Sequence, residues 1–384
     1  MEIAKSLQQI QSSYIREILA AASDPSVISL AGGLPDAQTF PIELMKPTLA
    51  SLSELPEVFQ YGGTQGYAPL LQHLRLRFQL TQDHDVMVTT GSQQGLDLIA
   101  RAYINPGDKV VMEAPSYLGA MQVFGLVQAD ILTVEQTEAG PNIEQLQACF
   151  EQHTPKVFYA VPDFHNPTGV CWSLETRQQV ASLCQQYNVA LIEDAPYREL
   201  RFAGDALPLV SDFCPQHSIV LRSFSKIASP GLRIGTVSGK KDYLAPLIKI
   251  KQGADLHSSI PMQALLLGLL THESFPQHMQ DICTLYKTRY QILYSELREK
   301  LPDGCYLQPI NGGMFVWLSL PPCDTFFLAQ TMLENGVAVV PSPVFYPQEN
   351  DASSALRLNF TNASPQQLKQ AVIRLVTALN QVIS

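Results

Sequence analysis

Residues 157–197 read VFYAVPDFHNPTGVCWSLETRQQVASLCQQYNVALIEDAPY. An apolar run rich in β-branched and aromatic residues (157–161) passes through a Pro, Asn and Gly turn into a helix-period segment at 174–187, and a second apolar run follows at 189–193. A parallel strand pair needs a crossover of at least about a dozen residues, and the helical segment is long enough to provide it. The same texture extends outward. Runs at 86–90, 109–113, 131–134 and 218–222 alternate with helical stretches such as 93–103, introduced by Gly91-Ser92, and 143–151. The pattern predicts an α/β domain with a mostly parallel, buried sheet.

Beyond residue 258 the texture changes to a long helical pattern over 261–300, then Gly312-Gly-Met-Phe-Val-Trp-Leu318 and an alternating strand at 355–360. This predicts a second, smaller α+β unit. The first forty residues carry a helical stretch at 14–22 and an irregular segment at 31–35, and read as an arm. The expected division is an arm at 1–40, a large domain at 41–270, and a small domain at 271–384 with part of the arm.

The 384 residues are 46% hydrophobic and 16% charged, enough apolar material for a large core. A net charge of −10 argues against binding a phosphate backbone, so nucleic acid is not an expected partner. The most apolar run, 261–270, is too short for the roughly 20 residues of a membrane span, and no secretory leader is legible. The expectation is a cytoplasmic chain without membrane attachment. Seven cysteines form no C-x-x-C pair and the eight histidines no metal-ligand spacing, so they read as reduced thiols without a metal site.

Ligands of open parallel sheets bind beyond the carboxyl ends of the strands. Those ends are followed by Ser92-Gln93 at a helix start, by Tyr117, by Asn166 in the sequence Asn-Pro-Thr-Gly, by Asp194-Ala-Pro-Tyr197, and by Ser223-Phe-Ser225-Lys226. Singly, each has a plain structural reading as a cap, a turn residue or a solvated lysine. Together they suit one ligand: hydroxyls, a helix N-terminus and an arginine for a phosphate, a carboxylate for a ring nitrogen, and an amine for an aldehyde. Pyridoxal 5′-phosphate (PLP) fits that description.

Ser223-x-Ser225-Lys226 followed by Pro230-Gly-Leu-Arg233-Ile-Gly235, with Asn166-Pro-Thr-Gly, Asp194-x-x-Tyr197 and Ala355-Leu-Arg357-Leu-Asn-Phe360, resembles the fold type I, class I/II aminotransferases over residues 28–360. Ile15-Arg16-Glu-Ile, Leu30-Ala-Gly-Gly-Leu-Pro35 and Tyr61-Gly-Gly-Thr-Gln-Gly-Tyr67 are most similar to the branch with 2-aminoadipate and kynurenine aminotransferases. The resemblance implies the PLP-transferase fold, with a mostly parallel seven-stranded sheet between helices, and a homodimer with shared active sites. It implies transfer of an amino group between an L-amino acid and a 2-oxo acid. Glutamate and 2-oxoglutarate would be one pair, and 2-aminoadipate, an aromatic or kynurenine-like amino acid or a branched one the other. Rival readings on the same scaffold are a β-lyase, a decarboxylase and a PLP-binding regulatory domain. Against the last stand the acidic balance and the roughly 25 residues ahead of the family-like core, too few for a winged helix.

Carried over by resemblance, Lys226 holds the cofactor as a Schiff base and moves the substrate proton, Asp194 pairs with the ring nitrogen, Asn166 and Tyr197 bind the phenolate oxygen, and Tyr117 stacks on the ring. Ser92, Gln93, Ser223, Ser225 and Arg233 bind the phosphate, which Tyr61 reaches from the partner subunit. Arg357, with Asn166, holds the substrate carboxylate; Gly33 lines the substrate pocket, and Arg16 selects the side chain, although a turn glycine and a helix-face ion pair are their plain alternatives. One departure is His165, where the branch commonly carries glutamine, which sets a titratable ring near the site. Residues 235–241 imitate a phosphate loop with the wrong spacing, and the glycines at 62, 63 and 66 lack the preceding strand of a dinucleotide fingerprint.

Overall fold

The computed structural model describes residues 2–4, 7, 18 and 24–382. In chain order the strands are β1 (Ile28–Ser29), β2 (His84–Thr89), β3 (Lys109–Ala114), β4 (Asp130–Thr137), β5 (Gly140–Pro141), β6 (Val157–Ala160), β7 (Ala190–Asp194), β8 (Ser218–Ser223), β9 (Gly235–Lys240), β10 (Tyr306–Leu307), β11 (Phe315–Ser319), β12 (Val337–Ala338), β13 (Val340–Pro341) and β14 (Ala355–Asn359). The main sheet has the order β2-β9-β8-β7-β6-β3-β4-β5. Strands β3, β4, β6, β7 and β8 run parallel, and β9 is antiparallel to both β2 and β8. The expected seven strands are present, and the two-residue β5 folds back on β4 as an eighth. Side chains alternate across the sheet: Val110, Met112, Val157 and Tyr159 enter one core, while Val111, Phe158 and Leu191 enter another with Trp172 and Val180. Burial of both faces is what makes these strands nearly continuous apolar runs.

Strand β9 lies in the stretch that imitates a phosphate loop, and its glycines have a packing cause. A Cβ on Gly235 would stand 2.4 Å from the Ser92 nitrogen and 2.5 Å from the Gly91 carbonyl carbon, so only glycine lets the strand pass behind that turn. The helical pattern expected over 261–300 is two helices, Ile260–Thr271 and Phe275–Lys300. Pro276, in the first turn of the second, cannot continue a preceding helix and starts a new one. The strand expected at 355–360 ends at Asn359.

A second sheet, β10-β11-β14-β13, is antiparallel throughout. Its strand β14 sets Arg357 opposite Trp317 and Val340. The segment after β1 is held against it: the Leu30 N–H donates to the Ala338 carbonyl at 2.8 Å, and the Asn359 N–H donates to the Leu30 carbonyl at 2.7 Å. An ion pair between Asp36 and the buried Arg289 fixes the far end of this segment. The helical stretch expected at 14–22, Ile18 apart, lies outside the described residues.

The turn that presents Asn166 is anchored from beneath. Asp163 is fully buried and meets the guanidinium groups of Arg177 at 2.8 Å, Arg198 at 2.9 Å and Arg201 at 3.5 Å. Burial pushes its carboxyl up, but Arg177 and Arg198 outweigh burial and hold it below the ordinary aspartate value. Its contribution to stability is therefore present above about pH 4 and is lost as pH falls through the folded value below that. Asp163→Asn leaves Arg177 buried without its counter-charge and should cost about 3–5 kcal/mol at pH 7. Urea unfolding midpoints of the two proteins should differ widely at pH 7 and draw together as pH falls below about 4; equal midpoints at pH 7 would contradict this account of the turn.

Candidate active site

Because β2, β3, β6, β7 and β8 share one direction, their carboxyl ends meet at one edge of the sheet, and a cavity of 410 Å³ opens there. Ser92, Gln93, Tyr117, Asn166, Asp194, Tyr197, Ser223, Ser225, Lys226, Arg233, Arg357 and Gly33 all line it. Tyr61 does not; it is 80% exposed. Arg16 lies outside the described residues.

Asp194, the last residue of β7, is buried at the cavity floor. Its Oδ2 accepts from the Tyr159 hydroxyl at 2.8 Å, and its buried Oδ1 has no partner. Burial pushes the carboxyl up to about 7, against the pull of the Tyr159 hydrogen bond. A cationic ring N–H set against Oδ1 would satisfy it and keep the carboxylate ionised. Lys226 stands three residues past β8. Its amine donates to the Gly33 carbonyl at 2.7 Å, and burial, helped by the charges of Arg357 and Arg233, pushes it down to about 8. Asn166 Nδ2 donates to the Tyr197 hydroxyl at 3.3 Å, and burial keeps that phenol protonated by pushing it up. Tyr117, its phenol pushed up to about 12 mainly by burial, donates to Gln93 Oε1 at 3.1 Å.

Arg357 is buried against the cavity wall. Its Nη1 donates to Asn166 Oδ1 at 2.9 Å and its Nη2 to the Ala31 carbonyl, while Nε has no partner. The guanidinium lies 4.4 Å from the Phe315 ring and 5.0 Å from Phe345. Burial pushes it down to about 10, still cationic at neutral pH. Another part of the lining is anion-binding in character. The helix Ser92–Tyr103 begins after Gly91 at φ +80°, with no side chain capping its first N–H groups. A Cβ on Gly91 would meet Arg233 Nη2 at 2.8 Å, so glycine lets the guanidinium lie against the turn. Ser223 and Ser225 contribute hydroxyls. An anion cup, an orphaned carboxylate oxygen and an amine pushed towards its free base in one cavity fit a phosphorylated, nitrogen-ring aldehyde.

Residues 25–375 match the family Aminotransferase class I and II. The chain belongs to it. Aromatic-amino-acid aminotransferase 1 of Thermococcus litoralis is 33% identical over 97% of this chain and 92% of its own. The 2-aminoadipate transaminase of Thermus thermophilus is 34% identical over 99% and 97%. The solved structure of LysN, an alpha-aminoadipate aminotransferase of Thermus thermophilus complexed with N-(5′-phosphopyridoxyl)-L-leucine, superposes with a TM-score of 0.92, at 34% identity over 99% of this chain and 97% of that one. This is a PLP-dependent aminotransferase, and its reaction is transamination.

In this aminotransferase His165 is not the titratable neighbour that its position suggests. It is buried, does not line the cavity, and is pushed down to about 3 by burial, so it is neutral at working pH. Its Nδ1 lies 3.0 Å from Thr168 Oγ1, which donates to Gln136; Gln136 in turn donates to Glu113 at 2.9 Å. Among the lining residues not singled out from sequence are Tyr159, inside an apolar run, and Phe315, inside the Gly-Gly-Met-Phe-Val-Trp-Leu strand. A tyrosine in a strand buried on both faces needs a partner for its hydroxyl, which is the signal that could have marked Tyr159.

The depressed Lys226 amine sets a pH profile. Only its free base attacks an aldehyde, so the rate at which cofactor-free enzyme takes up PLP should rise between pH 6 and 9 with a midpoint about 8. Stopped-flow absorbance checks this; a rate still climbing at pH 10, as for an ordinary lysine, would contradict it.

Proposed function

We propose that the enzyme transfers the amine of an L-amino acid to a 2-oxo acid by a ping-pong cycle, with glutamate and 2-oxoglutarate as one pair. An aromatic or kynurenine-like amino acid, 2-aminoadipate or a branched amino acid forms the other. The observation that carries the reading is Arg357, a buried guanidinium with an unpartnered Nε, lining the same cavity as the Lys226 amine and the Asp194 carboxyl. An α-amino acid needs both a carboxylate clamp and a base for its Cα proton.

When bound, PLP supplies the aldehyde that captures the substrate amine and a ring that draws electrons from Cα. The chain's residues do the rest. Lys226 would hold the cofactor in the resting enzyme, and its amine, once free, would serve as the base for the substrate's Cα proton. Asp194 Oδ1 would hold the proton on the ring nitrogen, with the carboxylate oriented by the Tyr159 hydroxyl. Asn166 and Tyr197 would hydrogen-bond the phenolate oxygen, and Tyr117 would pack on the ring. Ser92, Gln93, Ser223, Ser225 and Arg233 would bind the phosphate. Arg357 binds the α-carboxylate, with Asn166 and the Phe315–Phe345 pair fixing its plane. Gly33 leaves the substrate side unobstructed: a Cβ there would meet Phe315 Cζ at 2.8 Å. Arg16 is assigned to the substrate side chain.

The reading extends to a homodimer in which Tyr61 reaches the partner's phosphate, supported by the exposure of Phe59 and Tyr61. It keeps the arm at 1–40, the large domain at 41–270 and the small domain at 271–384 with part of the arm, supported by the separation of the eight-stranded sheet from the four-stranded one and by the pairing of β1 with β12. Seven free cysteines support a reducing, cytoplasmic setting.

Mixing the holoenzyme with single amino acids, without an acceptor, tests the reaction and names the donor. Rapid loss of the visible absorbance with appearance of pyridoxamine phosphate is expected for glutamate and for at least one of the other candidates. Pyruvate and ammonia from a β-substituted amino acid, or carbon dioxide, without pyridoxamine phosphate would mean a lyase or a decarboxylase. Arg357→Lys replaces a bidentate clamp by a point charge, and should raise KM for the amino acid by roughly 10- to 100-fold; an unchanged KM would remove Arg357 from the clamp.

A further inference from the structure

Behind the anion cup lies a polar cluster that none of the roles above uses. Lys251, in the helix Lys241–Ala254, is 0% exposed. Its Nζ donates to Gln94 Oε1 at 2.9 Å, to Asp255 Oδ1 at 2.8 Å and Oδ2 at 2.9 Å, and to Ser258 Oγ at 3.1 Å. An ammonium has three N–H groups, so this one is saturated and has none left for a ligand. Every group it holds also grips Thr90. The Thr90 N–H donates to the same Gln94 Oε1 at 2.7 Å, Thr90 Oγ1 lies 3.0 Å from Ser258 Oγ, and it donates to Asp255 Oδ2 at 3.4 Å.

Thr90 is the residue before Gly91, and its carbonyl accepts from Arg233 Nη2 at 3.5 Å. The turn that aims the first N–H groups of the helix and receives the Arg233 guanidinium is thus held by its backbone N–H, its hydroxyl and its carbonyl. The cluster reaches further. The Ser258 carbonyl accepts from Gln263 Nε2 at 2.9 Å, and Gln263 Oε1 accepts from the Tyr67 N–H at 2.7 Å, at the end of the loop that begins with Tyr61.

We infer that Lys251 is the positioning residue of the phosphate cup: through Gln94, Asp255 and Ser258 it fixes Thr90, and so the aim of the Ser92 helix start and of Arg233, at the cofactor's phosphate. The inference rests on the assignment of this cup to the phosphate of PLP. Lys251 does not line the cavity, so it would touch neither cofactor nor substrate. It spends a buried charge on one turn, and a point charge with several fixed acceptors immobilises that turn more firmly than neutral pairs would. Removing it frees the turn and should weaken whatever binds through the phosphate, while leaving aldehyde capture at Lys226 alone.

The test uses the full-length protein, stripped of cofactor and reloaded with PLP or with pyridoxal, which lacks the phosphate. Lys251→Met should raise the dissociation constant for PLP by roughly 10- to 100-fold, the range set by losing a charge-assisted hydrogen bond. It should change that for pyridoxal by less than about twofold, and should weaken competition by inorganic phosphate by the same factor as for PLP. Gln94→Leu, which keeps the buried Lys251 charge paired with Asp255 but removes the acceptor it shares with the Thr90 N–H, should show the same selectivity if Lys251→Met does not fold. Unchanged PLP affinity, or equal loss for PLP and pyridoxal, would overturn the inference. A wild-type protein that bound both aldehydes equally and ignored inorganic phosphate would overturn the phosphate assignment itself.

Discussion

Burial of opposite charges at one sheet edge is the constraint on which the rest of this structure depends. Asp194 is pushed up to about 7, Lys226 down to about 8 and Arg357 down to about 10, in each case first of all by burial. No ion pair among the described residues joins Asp194 to either cation. Each group is held by neutral partners instead, Asp194 by Tyr159, Lys226 by the Gly33 carbonyl, and Arg357 by Asn166 and the Ala31 carbonyl. Such groups are costly to bury and gain most from a ligand that brings complementary charge. A cationic ring nitrogen would bring it to Asp194 and a carboxylate to Arg357, while an aldehyde would condense with the Lys226 amine.

The fold supplies the rigidity that this arrangement needs. Five parallel strands deliver their carboxyl ends to one line, and β9 returns through them only because Gly235 has no side chain. The second sheet brings Arg357 from the other side, and the segment after β1 lies between the two, its carbonyls at Ala31 and Gly33 meeting Arg357 and Lys226. Two ionic anchors lie beneath: Asp163 with its three arginines under the Asn166 turn, and Lys251 with Asp255 under the Thr90 turn. Neither lines the cavity.

Much of this was legible in the chain because a parallel sheet buried on both faces leaves uninterrupted apolar runs, and because Ser92, Asn166, Asp194 and Lys226 follow such runs directly. Strand β9 was not legible, since Gly235 and Gly239 are chosen for closeness of packing and erase the β-branched texture. The break between the helices Ile260–Thr271 and Phe275–Lys300 was visible in Pro276 but was masked by the helical period on both sides. The neutrality of His165 follows from burial, which a sequence does not give. The Lys251 cluster gathers residues 90, 94, 251, 255 and 258, and only the fold places them together.

Reductive trapping of the holoenzyme addresses the central claim most directly. Borohydride makes the link between cofactor and lysine permanent, and peptide mass spectrometry then locates it. The account predicts a single pyridoxyl-phosphate label, on the peptide containing Lys226. A label on any other lysine, or none on an enzyme that still transaminates, would contradict it.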